Sequence, residues 1–208
     1  MNPPRLAVVD YGMGNIHSVA KSLEAAGGRV VVSDRRSVLD KADVLVVPGQ
    51  GRFDRAMATL KERGLISFLK GWLRDDRPFL GVCLGLQILF DRSDEAPGAP
   101  GLGWIPGRVR RFAPGSGLKI PHMGWNRARP VGDRAQKLFG ADGYYYFVHS
   151  YYPVPAEGGW EGTRTPYGTD FCSAIVRGAA VATQFHPEKS GTAGLLCLKK
   201  MIQSWARR

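Results

Sequence analysis

The hydrophobic period of the first ninety residues switches repeatedly between strand and helix, and this alternation restricts the possible folds more than any other feature of the sequence. Residues 6–9 (LAVV) form a short apolar run ending at Asp10, after which Ile16, Val19, Ala20 and Leu23 recur at helical spacing until Gly27-Gly28. Arg29–Ser33 repeats the strand signal, and Val44–Val47 is apolar at every position, as in a strand buried on both faces, with Pro48-Gly49 closing it. Phe53, Met57 and Leu60, then Leu65, Phe68, Leu69 and Trp72, predict one or two helices. Phe79–Val82 is the next buried strand, leading into residues 84–90, where Leu86, Leu89 and Phe90 predict a helix. Strands separated by helices pair in parallel through right-handed crossovers. The expected fold is therefore α/β: an open, mostly parallel sheet with helices on both faces.

After Pro97 the texture changes to short strands punctuated by glycine and proline, at 107–112, 119–125, 144–152, 171–176 and 179–185. They predict hairpins that extend the sheet in antiparallel fashion. A last helix at 192–206 places Leu195, Leu198 and Ile202 on one face. The sequence shows no repeat or low-complexity linker, and 208 residues can bury a full core, so a single domain over residues 1–208 is expected. With 44% hydrophobic and 23% charged residues, the chain is not of the disordered class. Three cysteines without CxxC spacing argue against a disulfide framework and a thiolate zinc site, so no metal or cofactor is expected and a reducing cytoplasm fits best. The N-terminal apolar run is four residues long and the longest uncharged apolar-rich stretch, 78–90, has 13, which is too short for a secretion signal or a membrane span. A net charge of +11 raises nucleic acid, an anionic membrane or a phosphorylated ligand as partners. No aromatic-interleaved RNA motif or helix-turn-helix signal accompanies it, so neither nucleic acid nor membrane is expected.

Ligands of open α/β sheets bind beyond the carboxyl ends of the strands, so the residues after Val9, Val47, Val82 and Phe185 should converge. Gly81-Val82-Cys83-Leu84-Gly85 has the spacing of a nucleophile elbow with cysteine in place of serine. Small neighbours let the backbone pass closely while the side chain projects at a helix N-terminus. A thiol still needs a base, and of His17, His122, His149 and His186 the last is best placed, ending an apolar strand. Glu188, two residues on, projects to the same side and can orient the ring. The loop Pro48-Gly49-Gln50-Gly51 can turn the Gln50 amide toward an oxyanion, with the Leu84 amide as second donor. A lone cysteine is ordinarily a small core residue, which is how Cys172 and Cys197 read, and a lone His-Pro-Glu is ordinarily a turn. Together, at strand ends, they indicate a thiol nucleophile without naming its substrate.

The segments GVCLGLQ (81–87), FVHSYY (147–152), QFHPEKS (184–190) and PGQG (48–51) resemble, across the whole chain, the motif set of the class I, triad-type glutamine amidotransferases. Within that family, DYGMGNIHSV (10–19) and PHMGWN (121–126) resemble the branch of glutaminase subunits that supply a separate, barrel-shaped cyclase chain in histidine biosynthesis. The resemblance implies that L-glutamine is the substrate, that Cys83 attacks its side-chain amide, that His186 moves the proton and that Glu188 orients His186. It further implies that Gln87, His149, Ser150 and Tyr151 hold the α-amino and α-carboxylate groups, beside Gly49 and Gly51 of the oxyanion loop. Asn15, Trp125, Tyr146 and Lys189 match positions that meet the cyclase in a heterodimer and border an ammonia channel. Gln50 stands where many relatives carry an aliphatic residue, and the glycines beside it would permit a peptide flip. His17 and His122 read as structural or interfacial. Two alternatives stand beside this reading: a glutaminase subunit of another biosynthetic synthase, such as one making aminobenzoate, and a non-catalytic binding protein on the same scaffold. Residues 105–137 carry eight basic groups and one acid, suiting either docking onto an acidic face of the cyclase or a solvated basic face.

Overall fold

The computed structural model describes residues 3–113, 117–141, 143–156 and 159–206. In chain order the first half runs β1 (Arg5–Val9), α1 (Ile16–Ala25), β2 (Arg29–Ser33), α2 (Arg36–Leu39), β3 (Val44–Val47), α3 (Phe53–Glu62), α4 (Leu65–Arg74), β4 (Phe79–Val82) and α5 (Leu84–Gln87). The second half follows as β5 (Phe90–Ser93), β6 (Ile105–Arg111), β7 (His122–Val131), α6 (Asp133–Phe139), β8 (Gly143–His149), β9 (Tyr151–Pro155), β10 (Glu161–Pro166), β11 (Asp170–Arg177), β12 (Ala180–Thr183) and α7 (Gly191–Trp205). A 3-10 turn, Pro187–Lys189, joins β12 to α7.

A nine-stranded sheet has the order β2-β1-β3-β4-β12-β11-β10-β7-β8. Its first five strands are parallel, and the rest add on antiparallel, as the sequence pattern predicts. The strand sequences explain the layering. Ala7, Val9, Leu45 and Val47 pack with Phe53, Leu60, Leu69 and Trp72 on one face, while Leu6, Val8, Val44 and Val46 pack with Val19, Leu23, Leu198 and Ile202 on the other. Both side-chain rows of each central strand are thereby taken out of water, which is why these strands lack polar alternation. A second sheet, β5-β6-β9, lies against β11.

Several expectations need correction. The helix predicted for residues 84–90 lasts one turn, and Phe90 begins β5 instead. The backbone beyond α5 is taken by a distant segment, with Leu102 N donating to Ile88 O (2.7 Å) and Trp104 N to Leu89 O (2.9 Å), so tertiary pairing overrides the helical spacing. The strand predicted for 144–152 breaks at Ser150: β8 pairs with β7 in the large sheet and β9 with β6 in the small one. The strand predicted at 119–125 starts at His122 and runs on to Val131. The short helices α2 and α6 and strand β10 carried no recognised signal. In β10 the buried residues Thr163 and Thr165 are polar and bond the Ser173 hydroxyl at 2.7 Å, a hydroxyl cluster that resembles loop composition in sequence. No helix among the described residues is long and apolar enough to cross a membrane.

Glycine decides how closely β3, β4 and α5 approach. A Cβ on Gly85 would overlap the Val47 carbonyl oxygen, and one on Gly81 would lie 2.6 Å from Gly85 O. Replacing Gly85 by alanine should therefore cost about 2–3 kcal/mol, read as a fall in the thermal or urea midpoint, with loss of whatever activity the adjoining turn supports.

Candidate active site

Cys83 is the residue between β4 and α5, and it adopts φ +55 and ψ −106. A side chain at positive φ costs on the order of 1–3 kcal/mol unless its surroundings enforce it. Here Cys83 N donates to Thr183 O at 2.7 Å, and Cys83 O accepts from Leu86 N and Gln87 N at 3.0 and 3.2 Å. The peptide groups on both sides are thus fixed by β12 and by the first turn of α5. The sulfur points into a cavity of about 330 Å3, together with Leu84, Gln87 and His186.

His186 stands three residues beyond the end of β12. Its Nδ1 lies 2.8 Å from Glu188 Oε1, and both side chains are almost wholly buried. Nε2 is buried without a hydrogen bond of ordinary geometry, and Cys83 is its electrostatic partner. Burial disfavours the charged ring, yet negative charge on Cys83 and the Glu188 carboxylate outweigh that and raise its proton affinity well above that of a free imidazole. A strong base thus stands beside a thiol, oriented by a carboxylate.

The oxyanion loop is built from beneath. The Tyr11 hydroxyl donates to Pro48 O at 2.8 Å, and burial pushes the phenol up so that it stays a donor. A Cβ on Gly49 would stand 2.5 Å from Leu84 Cβ and 2.9 Å from Gly85 N, which seats the loop on the Cys83 turn. Gln50 and Gly51 (φ +108) line the cavity, whereas Gly49 serves as the contact below it and is not among the lining residues. The residues after Val47, Val82 and Phe185 therefore meet around one cavity as expected. Those after Val9 support it from behind: a Cβ on Gly14 would reach Gly49 N at 3.2 Å.

Of the residues expected to hold substrate, Gln87, His149, Ser150 and Tyr151 all line the cavity. Both hydrogens of the Gln87 amide are already used, on Tyr151 O (3.1 Å) and Gln184 Oε1 (3.0 Å), which leaves its oxygen as an acceptor. Sequence reasoning assigned no role to two residues found here. Gln184 donates its amide toward Cys83 Sγ at 3.5 Å, and its spacing of two from His186 on an extended segment would have indicated the shared side. Glu95 lines the cavity while accepting from Phe53 N at 2.8 Å; nothing in the local pattern of its loop points to the site.

Behind His149 runs a directed chain of hydrogen bonds. His149 Nδ1 donates to Tyr151 O at 2.8 Å, so its Nε2 accepts from His122 Nδ1 at 3.1 Å, and His122 Nε2 accepts from Asn126 Nδ2 at 3.2 Å. Burial lowers His122 to about 4 and His149 to about 3, so both rings are neutral at physiological pH, as the chain requires. Phe147 and Tyr167 stack on His122, at 4.8 and 3.9 Å between ring centroids.

The antiparallel β7-β8 pair separates two kinds of surface. Tyr145, Phe147 and His149 point inward, while Met123, Trp125, Tyr144 and Tyr146 share the outer face, with Met123, Trp125 and Tyr144 more than half exposed. Trp125 meets Tyr146 edge-on at 6.4 Å, and Lys189 Nζ lies 6.0 Å from the Tyr146 ring. Three of the four residues expected at a partner surface are thus gathered together. Asn15 caps α1, its side chain accepting from Ser18 N at 3.3 Å, and α1 packs beside the 187–189 turn. His17 is exposed on α1. Cys172 and Cys197 are buried and free, and burial pushes both thiols up. No cluster of metal-binding side chains occurs among the described residues.

The model of the family described as glutamine amidotransferase class-I matches residues 7–201. The chain is 46% identical over 211 residues to the imidazole glycerol phosphate synthase subunit HisH of Synechococcus sp. (strain JA-3-3Ab), covering all of this chain and 97% of that protein. It is 48% identical over 199 residues to the protein of the same name from Methanothermobacter thermautotrophicus, covering 95% of this chain and 98% of the other. A solved structure titled "Crystal structure of glutamine amidotransferase" superposes with a TM-score of 0.77 at 19% identity, covering 98% of this chain and 99% of that one. The structure of PurLQS from Thermotoga maritima gives 0.75 at 18% identity, covering 97% and 99%.

The two neutral histidines set an acid limit. An unfolded chain protonates each near 6.5, whereas the native state holds them at about 4 and about 3. Protons therefore bind preferentially to the unfolded chain below pH 6.5, and stability falls as pH drops from 6.5 toward 4. Urea midpoints measured across this range should decline in the parent chain and decline less steeply in His122→Asn.

Proposed function

The chain belongs to the class I glutamine amidotransferases and is the glutaminase subunit of imidazole glycerol phosphate synthase in histidine biosynthesis; we propose that it acts through a glutamyl thioester on Cys83. The observation that carries this chemistry is the strained cysteine at φ +55, facing the buried His186-Glu188 pair across a cavity beside the Pro48-to-Gly51 loop. His186 Nε2 takes the thiol proton as sulfur attacks the glutamine amide carbon. The resulting oxyanion is met by backbone amides of the Gln50 loop and of Leu84. The same proton then passes to the departing nitrogen and ammonia leaves. Water, deprotonated by His186, cleaves the thioester to glutamate and restores the thiol.

The α-ammonium of glutamine suits the acceptors available, Gln87 Oε1 and the Glu95 carboxylate, and the Ser150-Tyr151 segment faces its α-carboxylate. Gln184, held by Gln87, steadies the sulfur.

Ammonia goes to a cyclase subunit, in our reading a barrel-shaped chain that docks on Trp125, Tyr146, Lys189 and Asn15 and forms imidazole glycerol phosphate and an aminoimidazole carboxamide ribonucleotide. Exposed tryptophan and tyrosine side chains are the composition of an interface centre, and Lys189 lies at their edge. The basic segment divides between both sheets. Arg108, Arg110 and Arg111 are exposed on β6, while Arg129 and Arg134 are paired with Asp170 and Glu161. Only part of its charge is thus left to steer docking, to nucleic acid, membrane or cyclase alike, and the cyclase fits the aromatic outer face of β7 and β8. A cytoplasmic setting fits the three free thiols.

Glutamate release should be strongly stimulated by adding the cyclase and its ribonucleotide, and Cys83→Ala should abolish it. Glu188→Gln should lower kcat by about 10^2–10^4 while leaving KM for glutamine near its parent value. Absence of partner stimulation, or full activity in Cys83→Ala, overturns the assignment. If the exposed arginines steer docking, raising salt from about 50 to 500 mM should slow association more than it speeds dissociation.

A further inference from the structure

Ser190 occupies the N-cap position of α7, where a serine hydroxyl ordinarily accepts from an amide of its own helix, yet it makes no capping bond. Its hydroxyl is used elsewhere. Ser190 Oγ donates to His186 O at 2.6 Å and accepts from Tyr146 N at 2.9 Å. His186 N in turn donates to Tyr146 O at 2.9 Å, forming an isolated antiparallel bridge with the β8 strand. The serine is 1% exposed, so water has no access to replace these bonds. The turn beneath is rigid: a Cβ on Gly194 would overlap Pro187 O, and Lys189 N donates to His186 O at 3.0 Å. Both polar backbone atoms of His186 are therefore tied to Tyr146, one directly and one through Ser190, while the Tyr146 ring stands on the outer face with Trp125 and Lys189.

We propose that Ser190 is a positioning residue whose hydroxyl clamps the backbone of His186 to β8, so that the base facing Cys83 is set by the strand bearing the outer aromatic face. This deepens the reading of the site given above and rests on it for the roles of His186 and Cys83. A displacement of β8 at Tyr146 is passed to the His186 peptide by one direct backbone hydrogen bond and by two that meet at the short, buried Ser190 hydroxyl. The diverted cap supports a selected role, because a serine kept only for helix stability would bond its own helix.

Alkylation of Cys83 by iodoacetamide, followed against pH, reads the thiol-imidazole pairing without glutamine or partner. Ser190→Thr and Ser190→Val have the same shape and differ in the hydroxyl. The expected result is a parent-like pH profile for Ser190→Thr, and for Ser190→Val a profile moved toward that of an unassisted thiol, with kcat for glutamine down 10-fold or more and KM little changed. Matching profiles and kcat in the two variants, with equal melting temperatures, overturn the proposal. Should the valine variant not fold, amide exchange in the parent chain decides. Addition of the cyclase subunit should slow Tyr146 and His186 together, and slowing of Tyr146 alone overturns the clamp. A parent chain that shows the paired alkylation profile but no glutaminase activity would count against the functional assignment and leave the clamp standing.

Discussion

The close approach of three backbone segments is the constraint from which the rest of the site follows. Gly49, Gly81 and Gly85 occur where β3, β4 and the first turn of α5 come too near for side chains. Because this contact is backbone on backbone, the path of the chain through Cys83 is fixed independently of any substrate. The positive φ of the cysteine is held by that packing and by the bond to Thr183, so the energy stored there is supplied by the surrounding sheet. A looser turn would let Cys83 relax toward an ordinary conformation and withdraw its sulfur from His186.

Electrostatic order is arranged in the same hierarchical way. The His186-Glu188 pair is buried where a charge is needed, and the His122-His149 pair is buried where charge must be avoided. The same ring chemistry is directed oppositely by its neighbours: a carboxylate and a thiol on one side of the cavity, amides and aromatic rings on the other. A pocket intended for a zwitterionic ligand gains from this separation, because the neutral histidines add hydrogen bonds without adding a competing charge.

How much of this was legible in the sequence follows from the range of the interactions involved. Strands β1 to β4 announce themselves because burial on both faces leaves no polar positions in them. The triad is legible because Cys83, His186 and Glu188 are marked by local turn chemistry and by a spacing of two residues. Glu95 was missed because its role depends on a partner 42 residues away, whereas Gln184 carried a local signal, its spacing of two from His186, that went unread. The break at Ser150 was missed for a different reason. Aromatic residues run through it without a turn signal such as glycine or proline at the break, and the change of hydrogen-bonding partners leaves no mark in the sequence. Strand β10 hides its burial behind hydroxyl groups that satisfy one another, and the short run at 84–90 kept helical spacing while its backbone was taken by residues 101–105.

The break at Ser150 has a mechanical consequence. One wall of the cavity is the joint at which the chain leaves the nine-stranded sheet and enters the three-stranded one. A ligand lodged between the Gln50 loop and Tyr151 bridges two separately hydrogen-bonded sheets at a place where the chain passes from one to the other. A ligand there adds contacts across that seam from both sides, as a keystone does between the two halves of an arch.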